Sequence, residues 1–333
     1  MTAKQGFGVS EHVSEHVSEL FEYVVAPDDD GMRLDVVVVR ALAGKLSRAQ
    51  VRSLFLSDAV LLSGRPATKN WRARAGDVIT VRMPLLGEAA TAVLDSSLDV
   101  RLERSDLVVV HKPAGQPTTP IRPGEVGTLV NGLVARYPEM AGVGYSPREP
   151  GILHRLDTGT SGLLLAARTS ASFELLAQSL HLGKIRKEYC LICDGSGLAD
   201  EGVIDIPIGV DAKHPKRVVA CLRAEQIRRY GPRPARTAYR VVERSGRWAL
   251  VVAEVSKACR HQIRAHFAAI GKPLVGDALY GGDTQAMGRH ALHAQVIGLS
   301  ADVGTASGGA DAVRSFEVTC EMPDDMVTLM RSG

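Results

Sequence analysis

A single aspartate, Asp157, lies where the folding pattern of its neighbours does not call for a charge. The apolar residues Ile152 and Leu153 precede it, and residues 163–167 form a short apolar run typical of a buried strand. Residues 158–162 are turn formers, so Asp157 is predicted to lie on a tight loop that buried structure holds on both sides. A carboxylate presented in this way can act as a nucleophile or a base. The alternative is that its side chain only caps the turn.

An arginine on a predicted helix is placed where it could reach such a carboxylate. Ile263, Phe267 and Ile270 recur at helical spacing, and Gly271 is expected to end the helix. Arg264 lies about 100° around the helix from Ile263, at the edge of this apolar stripe. An arginine at the border between core and cleft can reach a buried carboxylate.

The surrounding sequence predicts alternating strands and helices that would hold these residues. Apolar periodicity predicts a helix through residues 173–180, which Gly183 should end. Strands are predicted at residues 106–115, 163–167, 187–195, 237–242 and 248–255.

Length and composition bound the function. With 333 residues and 45% hydrophobic content, the chain can form two domains with a sizeable core. No apolar run reaches the roughly 18 residues of a membrane span, and the first residues lack the apolar core of a signal peptide. Five scattered cysteines fit reduced thiols. We therefore expect a cytoplasmic protein without a membrane partner.

The charges are segregated along the chain. Residues 1–30 carry one Lys against seven acidic residues and are predicted to be a flexible acidic extension, whereas residues 31–86 carry ten Lys and Arg against three Asp. Residues 213–240 hold nine Lys and Arg against one Glu, and we read them as a hairpin or loop beside the cleft. Basic segments of this kind are typical of polyanion binding. The candidate contacts in the second segment are Lys216, Arg217, Arg228 and Arg229.

Residues 31–86 resemble the small S-four-like RNA-binding domain, an α/β module. A helix is predicted at residues 36–42, strands at residues 60–62 and 78–82, and a turn at Ser63 and Gly64. A second helix would begin at Ser47 and place two arginines four residues apart on one face. The candidate contacts to phosphates are Lys45, Arg48 and Arg52. Residues 87–98 are expected to be a linker.

Motifs after the linker resemble those of the RluA-like pseudouridine synthases. The match is carried by His-Arg-Leu-Asp at 154–157 with Thr-Ser-Gly-Leu-Leu at 160–164, by the strand at 106–115, by His-Gln-Ile-Arg at 261–264, and by Leu-His-Ala at 292–294. Two departures stand out. His111 replaces the usual Asn, and Ala-Cys-Arg at 258–260 replaces the usual Gly-Arg-Thr.

This resemblance implies an α+β catalytic domain over residues 99–333, with a mixed, largely antiparallel sheet and a central RNA-binding cleft. The implied reaction breaks the bond between uracil N1 and ribose C1′ and joins C5 to C1′. It needs no cofactor and no metal. The expected substrate is structured RNA, most of all ribosomal RNA, with transfer RNA as an alternative, and the protein is expected to be a monomer.

The resemblance also assigns roles to residues. Asp157 would be the nucleophile or base toward the ribose, Arg264 would keep it ionised and oriented, and Tyr189 would hold the base. Arg155 would hold the uridine out of its stack. Together with Arg155, the expected substrate contacts are Lys187 and Lys112.

The same residues allow other interpretations. Cys190 and Cys193 form a Cys-x-x-Cys pair, but residues three apart on a strand face opposite sides, so a metal or redox site is not expected. His12 and His16 share a predicted helical face without further ligands. A zinc-dependent deaminase would need a ligand set that the sequence lacks. A catalytically idle RNA-binding assembly factor would share both basic segments.

Overall fold

The computed structural model describes residues 20–42, 51, 54–55, 59–82, 89–95, 97–210, 214, 216–304 and 312–332. The chain divides into two units, Met1–Glu88 and Ala89–Gly333. The Glu-His-Val-Ser repeat and the candidate phosphate contacts Lys45, Arg48 and Arg52 lie outside the described residues. Within these ranges, no helix is long and apolar enough to cross a membrane.

The first unit contains an antiparallel sheet covered by a helix. Its strands lie in the order Leu20–Val24, Val78–Arg82, Val60–Leu62 and Arg65–Pro66. Leu34, Val37 and Val38 on the helix are buried against Val60 and Ile79 of the sheet, which is the spacing of one helical face. The elements are β1 (Leu20–Val24), α1 (Leu34–Ala41), β2 (Val60–Leu62), β3 (Arg65–Pro66) and β4 (Val78–Arg82). The predicted strands at 60–62 and 78–82 are confirmed.

The end of the predicted flexible extension is instead part of this unit. β1 pairs along its whole length with β4, so the expectation for residues 20–30 was wrong. The buried carboxylate of Asp29 accepts hydrogen bonds from the Tyr23 hydroxyl at 2.7 Å and from Arg40 Nη1 at 2.6 Å. Tertiary pairing therefore orders a segment whose acidic composition suggested a solvated tail.

The second unit is built on one large sheet. From one edge to the other, eight of its described strands are Asp99–Glu103, Leu107–Lys112, Ser161–Ala167, Leu292–Leu299, Ile185–Asp194, Trp248–Glu254, Arg236–Ser245 and Glu201–Asp205. A ninth, Phe316–Thr319, also pairs with Leu292–Leu299. All these pairs are antiparallel except the one between Ser161–Ala167 and Leu292–Leu299. The predicted mixed, largely antiparallel α+β class is confirmed.

The strands and helices predicted in this unit are present with ends close to the predicted ones, and the unit contains further elements that were not predicted. The strands are β5 (Asp99–Glu103), β6 (Leu107–Lys112), β7 (Ser161–Ala167), β8 (Ile185–Asp194), β9 (Glu201–Asp205), β10 (Ile208–Val210), β11 (Val218–Ala220), β12 (Arg236–Ser245), β13 (Trp248–Glu254), β14 (Leu292–Leu299) and β15 (Phe316–Thr319). The helices are α2 (Leu129–Arg136), α3 (Ser170–Leu182), α4 (Ala224–Tyr230), α5 (Gln262–Ala269) and α6 (Asp324–Arg331).

The sheet is covered on both faces, which explains the continuous apolar runs. On β7, Leu164 packs into a core cluster with residues of α2 and α5, whereas its neighbour Leu165 packs into a second cluster with residues of α3. A strand buried on both sides needs apolar residues at every position. Cys190 and Cys193 on β8 likewise belong to different core clusters, as their spacing predicted.

Three other segments differ from their predictions. Residues assigned to the linker are hydrogen-bonded within the second unit, because Ala90 N–H donates to Pro147 O and Val93 N–H to Asn131 O. The basic segment 213–240 contributes β11 to a hairpin with β10, as predicted, but it then contains the helix α4, which was not predicted. That helix has no buried residue, so it lacks the apolar stripe that would have revealed it. Ile270 is exposed, because α5 ends at Ala269.

Gly162 allows the loop of Asp157 to join the sheet. Its φ is +119°, and it pairs with Ala294 where β7 meets β14. A Cβ at this position would lie 2.3 Å from Ala294 O, so a side chain would clash with the neighbouring backbone. The close approach of these two strands therefore depends on glycine.

Candidate active site

Asp157 lies on a loop that hydrogen bonds hold at several points. Thr160 N–H donates to Asp157 O at 2.9 Å, closing the turn. Before it, Leu156 N–H donates to the Thr118 hydroxyl at 3.2 Å, and this hydroxyl donates to Leu156 O at 2.8 Å. After it, Thr158 O accepts from Gly115 N–H at 2.7 Å. The carboxylate, 24% exposed, is thus presented on a fixed backbone.

Lys112 holds the backbone of this loop and does not line the cavity. Its buried ammonium donates to Pro113 O, Gln116 O and Thr158 O at 2.9, 2.8 and 3.3 Å. Burial lowers its pKa to about 8, while the negative charge of Asp157 acts in the opposite direction. The prediction that Lys112 contacts the substrate is therefore corrected: all three of its donors are used by backbone carbonyls.

Arg264, on α5, meets Asp157 across 107 positions of sequence. Its Nη1 donates to Asp157 Oδ2 at 2.8 Å, so the contact predicted between these residues is present. Burial opposes the charged guanidinium, but hydrogen bonds and charge from Asp277 and Asp157 outweigh it and raise the pKa of Arg264. The arginine therefore stays charged at every physiological pH.

Asp277 is the second partner of this arginine, and the sequence motifs did not point to it. Nε and Nη2 of Arg264 donate to the two carboxylate oxygens of Asp277 at 2.7 and 2.8 Å, a bidentate pair. The Asp277 side chain has no exposed surface. A carboxylate directly after the turn glycine Gly276 was the available signal, but a sequence does not reveal that such a residue is buried.

Tyr189, on β8, forms another part of the cavity wall. Its side chain is buried, and burial together with the charge of Asp157 raises the pKa of its hydroxyl. The phenol therefore remains protonated and can donate a hydrogen bond. Its flat apolar ring and polar tip suit a planar heterocycle with polar edges.

These side chains surround one cavity of about 650 Å³, within the range of small-molecule sites. Asp157, Tyr189 and Arg264 all line it, and Arg155 lines it with a side chain that is 60% exposed. Apolar side chains complete the wall, namely Leu153, Leu156, Val255, Ile263 and Leu292. The cavity thus combines an apolar surface with a few charged and polar groups.

Two further histidines line the cavity, and sequence reasoning assigned them no role. His261, in a left-handed conformation with φ of 53°, has its Nε2 3.6 Å from Asp157 Oδ1 and its Nδ1 3.2 Å from the Tyr280 hydroxyl. Burial lowers its pKa, whereas Asp157 raises it. His290 lies 2.8 Å from the Thr160 hydroxyl, and burial and then Arg264 lower its pKa to about 4. Both rings are neutral at neutral pH.

Lys187 lies two residues before Tyr189 on the same strand, but its side chain is buried and does not line the cavity. Burial lowers its pKa to about 8. The pKa of His154 is lowered to about 3, mainly by burial and to a smaller extent by the charge of Lys187. The prediction that Lys187 contacts the substrate is corrected for this reason: the face of β8 is covered at this position.

The second basic segment is attached to the helix of Arg264 through buried residues and presents its basic side chains to solvent. Ala265 of α5 packs with Val218 of β11, and Arg260 Nη2 donates to Arg217 O at 3.3 Å. The Tyr280 hydroxyl accepts from Val218 N–H at 2.9 Å. The predicted RNA contacts Lys216, Arg217, Arg228 and Arg229 are all exposed. No group of three or more His, Cys, Asp or Glu side chains in the described part of the chain could hold a metal ion.

The buried amine of Lys187 leads to a test of stability against pH. Below about pH 8 both folded and unfolded chains hold its proton, and the folded state bears the cost of burying the charge. Between about pH 8 and 10.5 only the unfolded chain holds it, so the free energy of unfolding rises with pH. Wild type should gain up to about 1.4 kcal/mol per pH unit relative to Lys187→Met in this window.

Denaturant unfolding at a series of pH values measures this difference. Lys184→Met is the matched control, because this lysine is exposed on the same turn into β8. Parallel pH curves for wild type and Lys187→Met would contradict the burial of a titrating amine.

Sequence comparison relates the chain to known proteins. A sequence model described as RNA pseudouridylate synthase matches residues 106–269. An uncharacterised RNA pseudouridine synthase of Bacillus subtilis is 34% identical over 290 residues, which cover 86% of this chain and 89% of the relative. The ribosomal large subunit pseudouridine synthase D of Xanthomonas campestris is 31% identical, over 87% of this chain and 88% of its own.

A solved structure agrees on the fold. Human RNA pseudouridylate synthase domain containing 4 superposes with a TM-score of 0.51 at 20% identity, over 70% of this chain and 92% of that one. With relatives above 30% identity along most of their length, and with the site geometry described above, the chain belongs to the RNA pseudouridine synthases, a family of isomerases.

Proposed function

We propose that this enzyme isomerises uridine in structured RNA with Asp157 as its catalytic carboxylate. One observation carries the proposal. A carboxylate accepts a 2.8 Å hydrogen bond from Arg264 in the same cavity that a protonated Tyr189 lines. Large-subunit ribosomal RNA is the proposed target, because a relative with 31% identity over most of both chains is named for it.

The reaction conserves all atoms of the uridine. The bond from N1 to C1′ breaks, the uracil turns within the cavity, and C5 joins C1′; the C5 proton leaves and N1 gains a proton. Asp157 acts as the nucleophile or base toward the ribose. Since Arg264 occupies Oδ2, Oδ1 is the oxygen available to the ribose, with His261 Nε2 at 3.6 Å, beyond ordinary hydrogen-bond length.

Tyr189 and Arg155 handle the base. The ring of Tyr189 stacks on the flipped uracil, and its hydroxyl donates to the edge of the base, which its raised pKa supports. Arg155 lies at the exposed rim, where its Nη1 donates to Glu149 Oε1 at 2.9 Å. From there it holds the nucleotide out of its stack, a step that costs a few kcal/mol.

Two basic regions grip the RNA backbone in this proposal. One is the segment of Lys216, Arg217, Arg228 and Arg229, which is exposed and attached to the helix of Arg264. The other is the first unit, an S-four-like RNA-binding module whose proposed contacts are Lys45, Arg48 and Arg52. Phosphate contacts of this kind give affinity without sequence choice.

We further propose that the enzyme acts as a monomer in the cytoplasm. Its five cysteines are all free, which suits a reducing compartment.

Single-turnover formation of pseudouridine tests the assignment of the carboxylate. Asp157→Asn keeps the shape but removes the charge and nucleophilicity, so the rate should fall by about 10⁴-fold or more, the scale of losing a catalytic nucleophile. Arg264→Lys retains a charge but not the planar fork, and should be slowed by about 10²-fold. RNA affinity, measured alongside, should change little in either variant.

Matched substitutions outside the cavity serve as controls. Asp194→Asn and Arg186→Lys make the same two substitutions at exposed side chains of β8. Both variants should keep the wild-type rate. A normal rate for Asp157→Asn would refute the catalytic assignment, and a normal rate for Arg264→Lys would refute the role of the pairing. Absence of pseudouridine with the wild-type protein and every RNA tried would favour an idle assembly factor.

Removal of residues 1–86 tests the proposed RNA-binding module. The truncated protein should bind RNA more weakly and with a smaller salt dependence. The log-log slope should decrease by roughly 0.9 for each duplex phosphate that the removed module neutralises in the full chain. At saturating RNA its chemical step should stay close to that of the full chain. Unchanged affinity and salt slope would show that the first unit does not anchor RNA.

A further inference from the structure

Ile121 is a large apolar side chain left in water at the mouth of the catalytic cavity. It is 78% exposed, yet it is among the residues that line the cavity. Full burial of an isoleucine side chain is strongly favourable, so a solvated one can still contribute free energy to binding. Its position at the opening of the cavity indicates that the bound substrate buries this side chain.

The backbone at Ile121 is held in place although its side chain is exposed. Ile121 N–H and Arg122 N–H donate to Glu125 Oε2 at 2.6 and 3.0 Å. These backbone hydrogen bonds, first that of Arg122, lower the pKa of Glu125. On the other side, Ile121 O accepts from Arg148 Nη1 at 3.0 Å. Side chains thus fix both hydrogen-bonding groups of this residue and aim an apolar group at the opening.

One network of hydrogen bonds holds the segments that carry Ile121 and Arg155. Thr119, two residues before Ile121, donates its hydroxyl to Glu149 Oε1 at 3.2 Å, and the same oxygen accepts from Arg155 Nη1 at 2.9 Å. Arg148, the neighbour of Glu149, holds the Ile121 carbonyl. The rim of the cavity therefore carries an apolar and a cationic side chain whose separation is set by the same hydrogen bonds.

We propose that Ile121 is an apolar wedge that enters the gap left in the RNA base stack when the target uridine moves into the cavity. A flipped base leaves two apolar faces of its neighbours exposed to water, and an aliphatic side chain between them is buried in exchange. This role rests on the proposed action on structured RNA, where the uridine begins in a stack.

The wedge predicts a rate effect that depends on stacking. Wild-type protein is first incubated with unmodified transcripts of ribosomal and transfer RNA, and the modified uridine is mapped. Two synthetic stem-loops then carry that uridine, one intact and one with abasic nucleotides on both sides. Ile121→Ala should slow single-turnover conversion of the intact stem-loop about tenfold, and that of the abasic one less than about twofold, because no stack remains to be held open.

Two further variants sharpen the comparison. Ile121→Leu should keep the wild-type rate within about twofold on both RNAs, since its side chain has the same apolar volume. Val126→Ala is the matched control, because Val126 is 56% exposed in the same loop but does not line the cavity. Its rates should equal those of wild type.

The outcomes separate the wedge from the rest of the mechanism. Equal slowing of Ile121→Ala on both RNAs, or no slowing on either, would overturn the wedge; the second result would leave the exposed isoleucine as a contact for a protein partner. Lack of conversion by the wild-type protein would refute the proposed function itself, before any Ile121 variant is compared.

Discussion

A buried guanidinium shared between two carboxylates is the interaction on which the site depends. An uncompensated charge inside a protein costs several kcal/mol, so Arg264 could not lie there without a fixed partner. Asp277 provides it through two hydrogen bonds of 2.7 and 2.8 Å, which use Nε and Nη2 and fix the plane of the group. Nη1 then points in one direction, toward Asp157. The orientation of the Asp157 carboxylate, the proposed catalytic group, is thus set through Arg264 by Asp277, a residue that does not line the cavity.

The fold serves this arrangement by bringing distant segments to one cavity. The loop of Asp157 enters β7, Tyr189 lies on β8, and α5, which carries Arg264, packs against the core on the same side as Tyr189. Gly162 allows the close parallel pairing of β7 with β14, and the ammonium of Lys112 holds the carbonyl of Thr158. Of the residues expected to contact the substrate, Lys112 is therefore part of the support of the site, whereas Lys187 is buried outside the cavity.

The sequence predicted the parts of this account that local pattern and motif resemblance can carry. Apolar runs and helical spacing located about half of the described strands and helices, including those that carry Tyr189 and Arg264. The motif of Asp157 pointed to its contact with Arg264. The roles of Asp277, His261 and Ile121 depend on burial, backbone conformation and exposure, which arise only when distant segments meet. The same limit explains why Lys187 was wrongly expected to contact the substrate. Strand alternation places it on the same face of β8 as Tyr189, but it does not show how far the cavity extends along that face. β1 was missed since its pairing with β4 is tertiary.

A double-mutant cycle between Asp277→Asn and Arg264→Lys tests the central claim most directly. If Asp277 acts only by orienting Arg264, Asp277→Asn should slow single turnover at saturating RNA by about tenfold or more, and the double variant should be no slower than Arg264→Lys within about twofold. Asp283→Asn is the control, because Asp283 lies in the same loop as Asp277 but is paired with Arg247. This variant should keep the wild-type rate. Unfolding curves establish that each variant is folded at the assay temperature. Rate losses that multiply in the double variant would contradict the account, because the two residues would then act independently.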